Sequence, residues 1–170
     1  AAETNLSDVR GEIGELIYCG YNINDLAEKA TFEEVVHLLH RGHLPDADEL
    51  SALKAEFCTS RNLPGGVIDV LKALPKDTSP MHALRTGVSA LGCFDSTAET
   101  QDDLESVRKK SIQIMAQVPV IVAAFHRLRQ SKEILESDNS LGEAANFIWL
   151  ITGNKPSEDM ERTMDICYIL

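Results

Sequence analysis

The chain has 170 residues, 44% of them hydrophobic, and 27 acidic side chains against 16 Lys and Arg give it a formal charge of −11. That balance excludes a nucleic-acid binder, because neutralising phosphates needs clustered Lys and Arg. With five Phe, three Tyr and one Trp the expected core is aliphatic; the length suits one domain, and no run approaches the roughly 18 apolar residues of a membrane span.

Cys19, Cys58, Cys93 and Cys167 are far apart and lack a C-x-x-C spacing, so neither a zinc site nor a disulfide framework is signalled. Reduced thiols and the absence of a charged and apolar leader at Ala1 make the cytoplasm the simplest compartment.

The first twenty residues are the least helical. Gly11, Gly14 and Gly20 punctuate Ile13, Leu16, Ile17 and Tyr18, a pattern that predicts a short extended arm or hairpin. The rest reads as helix. Three starts are marked by a capping oxygen with a carboxylate three residues on: Thr31 with Glu34, Asp46 with Glu49, and Ser140 with Glu143. The Thr31 helix carries Phe32, Val35, Val36, Leu38 and Leu39 and stops at Gly42. A second helix is expected from about 46 to 59, and a third begins at Pro64 and ends before Pro75.

Ser79 and Pro80 form a cap and first-turn pair for a helix to Leu91 that mixes Ala83, Gly87, Ser89 and Ala90 with Met81, Leu84, Val88 and Leu91. A polar connection over 94–101 precedes a long helix, about 102–130, which Pro119 should kink or divide. Further helices are expected from Ser140 to Ile151, ended by Gly153, and from Pro156 to Leu170. The last has no stop signal, and its apolar Ile166-Cys167-Tyr168-Ile169-Leu170 ending reads as a surface to be covered by a continuation of the polypeptide.

Two ordered blocks carry a family signal. The first is Gly14-Glu15-Leu16-Ile17-Tyr18-Cys19-Gly20-Tyr21-Asn22-Ile23-Asn24-Asp25-Leu26, followed by Phe32-Glu33-Glu34-Val35-Val36 and Gly42-His43-Leu44-Pro45. The second is Ser79-Pro80-Met81-His82-Ala83-Leu84-Arg85-Thr86-Gly87-Val88-Ser89-Ala90-Leu91-Gly92. Together they resemble citrate synthases over nearly the whole chain. The resemblance implies an all-α, multi-helix orthogonal bundle with a short N-terminal arm, residues 1–170 forming the N-terminal part of a large helical domain whose other helices and small domain lie outside this sequence. It further implies a homodimer through the helix from Pro80 to Leu91, and a parent enzyme of the tricarboxylic acid cycle that condenses acetyl-CoA with oxaloacetate to citrate and CoA. A 2-methylcitrate synthase, using propionyl-CoA, is the near alternative. A citryl-CoA-cleaving relative shares the fold. Acyl-CoA is a substrate there, so no cofactor is expected. One departure is clear: where the family reads Tyr-Arg-Gly-Tyr, this chain has Tyr18-Cys19-Gly20-Tyr21, and a thiol cannot replace a guanidinium.

No residue is assigned a catalytic, cofactor-binding or metal role, because the family's reactive side chains are expected beyond Leu170, and the 170 residues alone are expected to be inactive. The residues that invite a role have plainer readings. His37 and His40 lie one turn apart with His43 just past the helix end, but a metal needs further donors in fixed geometry. His82 and Arg85 share a helix face without a nucleophile nearby. His126 is expected to face solvent, as are the basic groups at 108–110 and 127–129. Asn62-Leu63-Pro64-Gly65-Gly66 lacks the setting of a phosphate loop, and Arg61 beside it is read as exposed. The rival class is a freestanding helical interaction module that docks through its apolar last turn.

Overall fold

In the computed structural model, which describes residues 4–96 and 103–170, an antiparallel sheet of three short strands precedes eight helices among the described residues. The chain divides into two compact units, one of residues 1–55 and 156–170, the other of residues 56–155.

In the first unit, β1 (Ser7–Arg10) pairs with β2 (Glu15–Tyr18) in the register Ser7↔Tyr18 and Arg10↔Glu15. Arg10 holds the far end of this hairpin, donating to Glu15 at 2.7 Å and to Asp8 at 2.8 Å. β2 turns directly into β3 (Tyr21–Asn22) through Cys19 and Gly20, with φ of 47° and 91°. Positive φ at both central residues is the geometry of a type I′ turn, whose twist matches that of the strands it joins. Gly20 meets it freely, whereas Cys19 does so at a steric cost.

Helix α1 (Ile23–Lys29) follows at once, capped by the Asn22 side chain. At the start of α2 (Phe32–Arg41) the Thr31–Glu34 capping box is present in both directions, and Gly42 closes the helix with φ 83°. α3 (Ala47–Ser60) begins with the expected reciprocal pair, Asp46 N–H to Glu49 Oε2 at 3.0 Å and Glu49 N–H to Asp46 Oδ1 at 2.9 Å.

α8 (Glu158–Ile169), capped by Ser157, completes this unit by serving the corner between α1 and α2. Arg162 donates to the carbonyls of Ala30, at 2.6 Å, and Ala27, where α1 ends. Asp165 accepts the Phe32 N–H at 3.0 Å, where α2 begins. A cation thus meets the carbonyl end of one helix and an anion the amide end of the next, each matched to the local dipole. Ile23, Leu26, Ala30, Val35 and Leu38 form the core together with Ile169. The expected uncovered last turn is corrected in part: Ile169 is buried and Tyr168 packs edge-on to Phe32 at 5.1 Å between ring centres, while Cys167 and Leu170 are exposed.

In the second unit, α4 (Gly65–Ala73) starts after Pro64, α5 (Pro80–Cys93) places Pro80 in its first turn, and α6 (Leu104–Arg129) is capped by Asp103. Ser79 occupies the cap position of α5 but makes no side-chain bond there. α6 continues through Pro119 as one helix instead of dividing. Its length and composition alone would let it cross a membrane, which the residue-by-residue reading missed because an 18-residue average tolerates scattered polar side chains. Here α4, α5 and α7 (Glu143–Thr152) pack around it, burying Ile112, Ala116, Val120, Ile121, Ala123, Ala124 and Phe125.

The small residues of α5 find their reason in this packing. Ala83 and Gly87 face inward, and a Cβ on Gly87 would come within 2.7 Å of Ile121 Cγ2 and 3.3 Å of Leu71 Cδ2. Close approach of α5 to α6 and α4 therefore requires glycine at this position. Of the expected connection at 94–101, residues 97–101 lie outside the described residues.

Candidate functional site

Residues 131–142 form neither helix nor strand, so their carbonyl and amide groups need partners from elsewhere. Side chains of the second unit supply them. Trp149 Nε1 donates to Glu136 O at 3.0 Å, Asn146 Oδ1 accepts Asp138 N–H at 2.9 Å, and Arg127 donates to Glu133 O and, at 3.3 Å, to Ile151 O. Arg61 completes the set: Nε and Nη2 each reach Glu143 Oε1 at 2.7 Å, Nη1 donates to Asp138 O at 3.1 Å and Nη2 to Leu141 O at 2.8 Å. The side chains of Arg61 and Glu143 are 1% and 2% exposed.

Three expectations are corrected here. Arg61 is not a surface arginine: desolvating a guanidinium requires a carboxylate and further acceptors, and Glu143 at the start of α7 provides the first while the carbonyls of Asp138 and Leu141 in this segment provide the others. Ser140 and Glu143 form no capping box, because Glu143 is taken by Arg61 while the Ser140 hydroxyl donates to Asp138 Oδ1 at 2.6 Å and Gly142 stands at the cap position. Nor are the basic groups simple solvated faces. Arg127 is buried, Lys110 is largely buried beside Asp95, and His126 is half-buried and bonded to Gln130 at 2.9 Å.

Beside this segment runs a groove of about 770 Å³ whose lining mixes apolar side chains such as Leu63, Ile68, Val120 and Leu128 with charged ones such as Lys132 and Glu133. It contains no histidine, and Arg61 at its edge donates to protein acceptors. Ser140, through side chain first and backbone second, and Lys155 hold the Asp138 carboxyl well below the usual carboxylate range, at about 2. The arrangement is a brace for an irregular segment rather than a reacting centre.

In the first unit, the structure brings His37 and His43 together, ring centres 5.0 Å apart, and adds Glu49. His37 is buried, with Nδ1 3.0 Å from His43 O and Nε2 3.9 Å from Glu49 Oε2; His43 Nδ1 lies 3.9 Å from the same oxygen. His40 does not belong to this cluster. Sequence reasoning placed Glu49 only as a capping carboxylate, and its position three residues after Asp46 was the one signal available.

His82 and Arg85 are both exposed on α5 and line neither of the two small hollows beside it. The stretch at 62–66 forms the turn into α4: Gln117 Nε2 donates to Asn62 O at 2.9 Å, and the Phe94 ring covers Gly66 so closely that a side chain there would displace it. All four cysteines are free, and Cys19 Sγ approaches the carbonyls of Leu6 and Leu38 at 3.7 and 3.6 Å.

A family profile described as "Citrate synthase, C-terminal domain" matches residues 1–170. The citrate synthase of Haloferax volcanii is 42% identical over 172 aligned residues, covering 99% of this chain and 45% of the relative. The citrate/2-methylcitrate synthase of Bacillus subtilis is 32% identical over 170, covering all of this chain and 45% of its own length. The crystal structure of citrate synthase from Pyrobaculum aerophilum superimposes with a TM-score of 0.93 at 30% identity, over 99% of this chain and 44% of that one. The chain thus spans less than half the length of the relatives it matches, and the likeness includes the helical architecture and the sheet that precedes it. A freestanding module without enzymatic relatives is set aside, and the chain belongs to the citrate synthase family.

Proposed function

We propose that the protein to which these 170 residues belong is an acyltransferase that condenses acetyl-CoA with oxaloacetate, giving citrate and CoA. The observation that carries this reading is the 42% identity with the Haloferax enzyme across 99% of the chain. Within such an enzyme these residues act as helical scaffold. Enolising a thioester needs a base beside the acyl carbon and donors for the developing oxyanion. Among the described residues the histidines are spread over α2, α5, α6 and the loop after α2, and the large groove holds none. The 170-residue chain by itself is catalytically silent, with the activity resting on a polypeptide of the relatives' length.

A coupled assay of CoA release tests both halves. The 170-residue chain with acetyl-CoA and oxaloacetate gives no turnover above a heat-killed control, while a polypeptide of the relatives' length carrying this sequence does. Turnover by the short chain overturns the scaffold reading, and inactivity of the long one overturns the condensation. Propionyl-CoA belongs in the same assay, since the Bacillus relative is named for both products.

The exposed side of α5 is the dimer surface in this reading. Ala83 and Gly87 are used inside the unit, leaving Met81, 69% exposed, with His82, Arg85 and Ser89 on the outer side. A small, mainly apolar hollow of about 170 Å³ lined by Met81, Leu84, Ile121 and Phe125 together with His126 and Arg129 adds to it. Met81→Glu therefore shifts the long polypeptide from dimer to monomer in sedimentation. No cofactor is needed, and four free thiols suit a reducing cytoplasm.

A further inference from the structure

We propose that His37, His43 and Glu49 form a binding site for one divalent transition-metal ion of the zinc class, joining the end of α2 to the start of α3. One ligand atom from each residue lies within 4.8 Å of the others. Two imidazoles and a carboxylate are a donor set that zinc accepts, with water in the remaining position.

His37 is prepared for the role. Its Nδ1 is 3.0 Å from His43 O, and a carbonyl can only accept, so Nδ1 carries the proton and Nε2, 3.9 Å from Glu49 Oε2, keeps its lone pair. A backbone carbonyl on one ring nitrogen is the outer-shell arrangement that orients a ligating histidine. Burial of His37 limits its movement, and the bond to His43 O also places the loop that bears the second imidazole.

Glu49 is held as well. Its Oε2 accepts the Asp46 N–H at 3.0 Å and its own N–H is bound by Asp46 Oδ1 at 2.9 Å, which anchors the carboxylate in the first turn of α3. Zinc–nitrogen bonds of about 2.0–2.1 Å put tetrahedral ligand atoms roughly 3.4 Å apart. Glu49 Oε2 is 3.9 Å from His37 Nε2, which needs a contraction of about half an ångström. His43 Nδ1 lies 3.0 Å from Leu44 O as well as 3.9 Å from Glu49 Oε2, so on binding this imidazole gives up the carbonyl or turns to present its other nitrogen, closing a gap to the other ligand atoms that is at most 4.8 Å. His43 and Glu49, with side chains 57% and 41% exposed, have the freedom to make these movements, and their exposure gives the ion its way in.

The test titrates metal-free protein with Zn(II), and separately with Co(II), following heat, cobalt absorption and melting temperature. The expected result is one ion per chain, cobalt bands of tetrahedral intensity, and a higher melting temperature with metal. His43→Ala and Glu49→Gln each weaken binding about 100-fold, the upper end of the loss seen when an outer-shell partner is removed. Glutamine preserves the acceptor in the capping box, so Glu49→Gln keeps the circular dichroism and melting temperature of the metal-free protein and separates ligation from folding. His40→Ala, on the same helix but outside the cluster, binds like the parent chain. Absence of saturable one-to-one binding overturns the proposal, as does undiminished binding in His43→Ala and Glu49→Gln or an equal loss in His40→Ala.

Discussion

Replacing Arg61 by Met tests the brace in the second unit most directly. The substitution keeps the volume of the stem but removes a guanidinium that contacts Glu143 twice and two backbone carbonyls once each. Glu143, at 2% exposure, is left as a buried carboxylate without its cation. Breaking a buried pair from one side costs about 3–5 kcal/mol, far above the 0–1 kcal/mol or so of a surface pair. Adding Glu143→Leu removes the stranded charge, so the double variant is more stable than Arg61→Met alone. Its residual loss is about 1 kcal/mol for each of the Asp138 and Leu141 carbonyls that lose a donor. Urea unfolding followed by fluorescence suits this test, because Trp149 is the single tryptophan and its indole N–H bonds the braced segment at Glu136 O. A cost below about 1 kcal/mol for Arg61→Met, or a double variant that loses the sum of both single losses, would refute the argument.

Other perturbations probe other parts of the fold. Gly87→Ala forces a methyl within 2.7 Å of Ile121 Cγ2, and the overpacking cost of about 1–3 kcal/mol exceeds the gain of up to about 1 kcal/mol in helix propensity, so chemical denaturation should show a net loss. Cys19→Asn relieves a left-handed turn position that asparagine adopts more readily than cysteine; we expect a melting temperature equal or higher, with up to about 1 kcal/mol gained. Asp138 contributes stability that is present above the ordinary aspartate value of 3.8 and lost as pH falls towards about 2, and Ser140→Ala raises its midpoint in a carboxyl NMR titration. Asp165 behaves oppositely. Burial first, and Glu33 among its neighbours, raise its pKa against the Phe32 N–H, so its contribution is fully present below 3.8 and lost as pH rises through the higher folded value. Asp165→Asn, which keeps an acceptor for Phe32, therefore gains relative stability in thermal melts towards neutral pH and loses that gain in acid.

Sequence reasoning located most helices because their signals are local. Thr31 with Glu34, Asp46 with Glu49, Pro64, Gly42 and Gly153 act over one turn of backbone, and each stands where the folded chain uses it. Ser140 with Glu143 shows the limit of that logic. The spacing is the same, yet a partner 82 residues away takes the carboxylate, and the cap shifts to Gly142. Cys19 belongs between these cases: its departure from the family pattern was readable, while its left-handed turn geometry was not.

By itself, then, the amino-acid order determined the helical class, the N-terminal hairpin, most helix boundaries and the family, all of which rest on interactions within a few residues or on patterns along the chain. Tertiary structure alone decided that Arg61 is buried on Glu143, that Arg162 and Asp165 serve the two helix ends at the α1–α2 corner, that Gly87 admits α6, and that Glu49 joins His37 and His43. The reason is physical. A long polar side chain can satisfy itself in water or on any suitable partner, and which one it takes is settled only when packing removes the water.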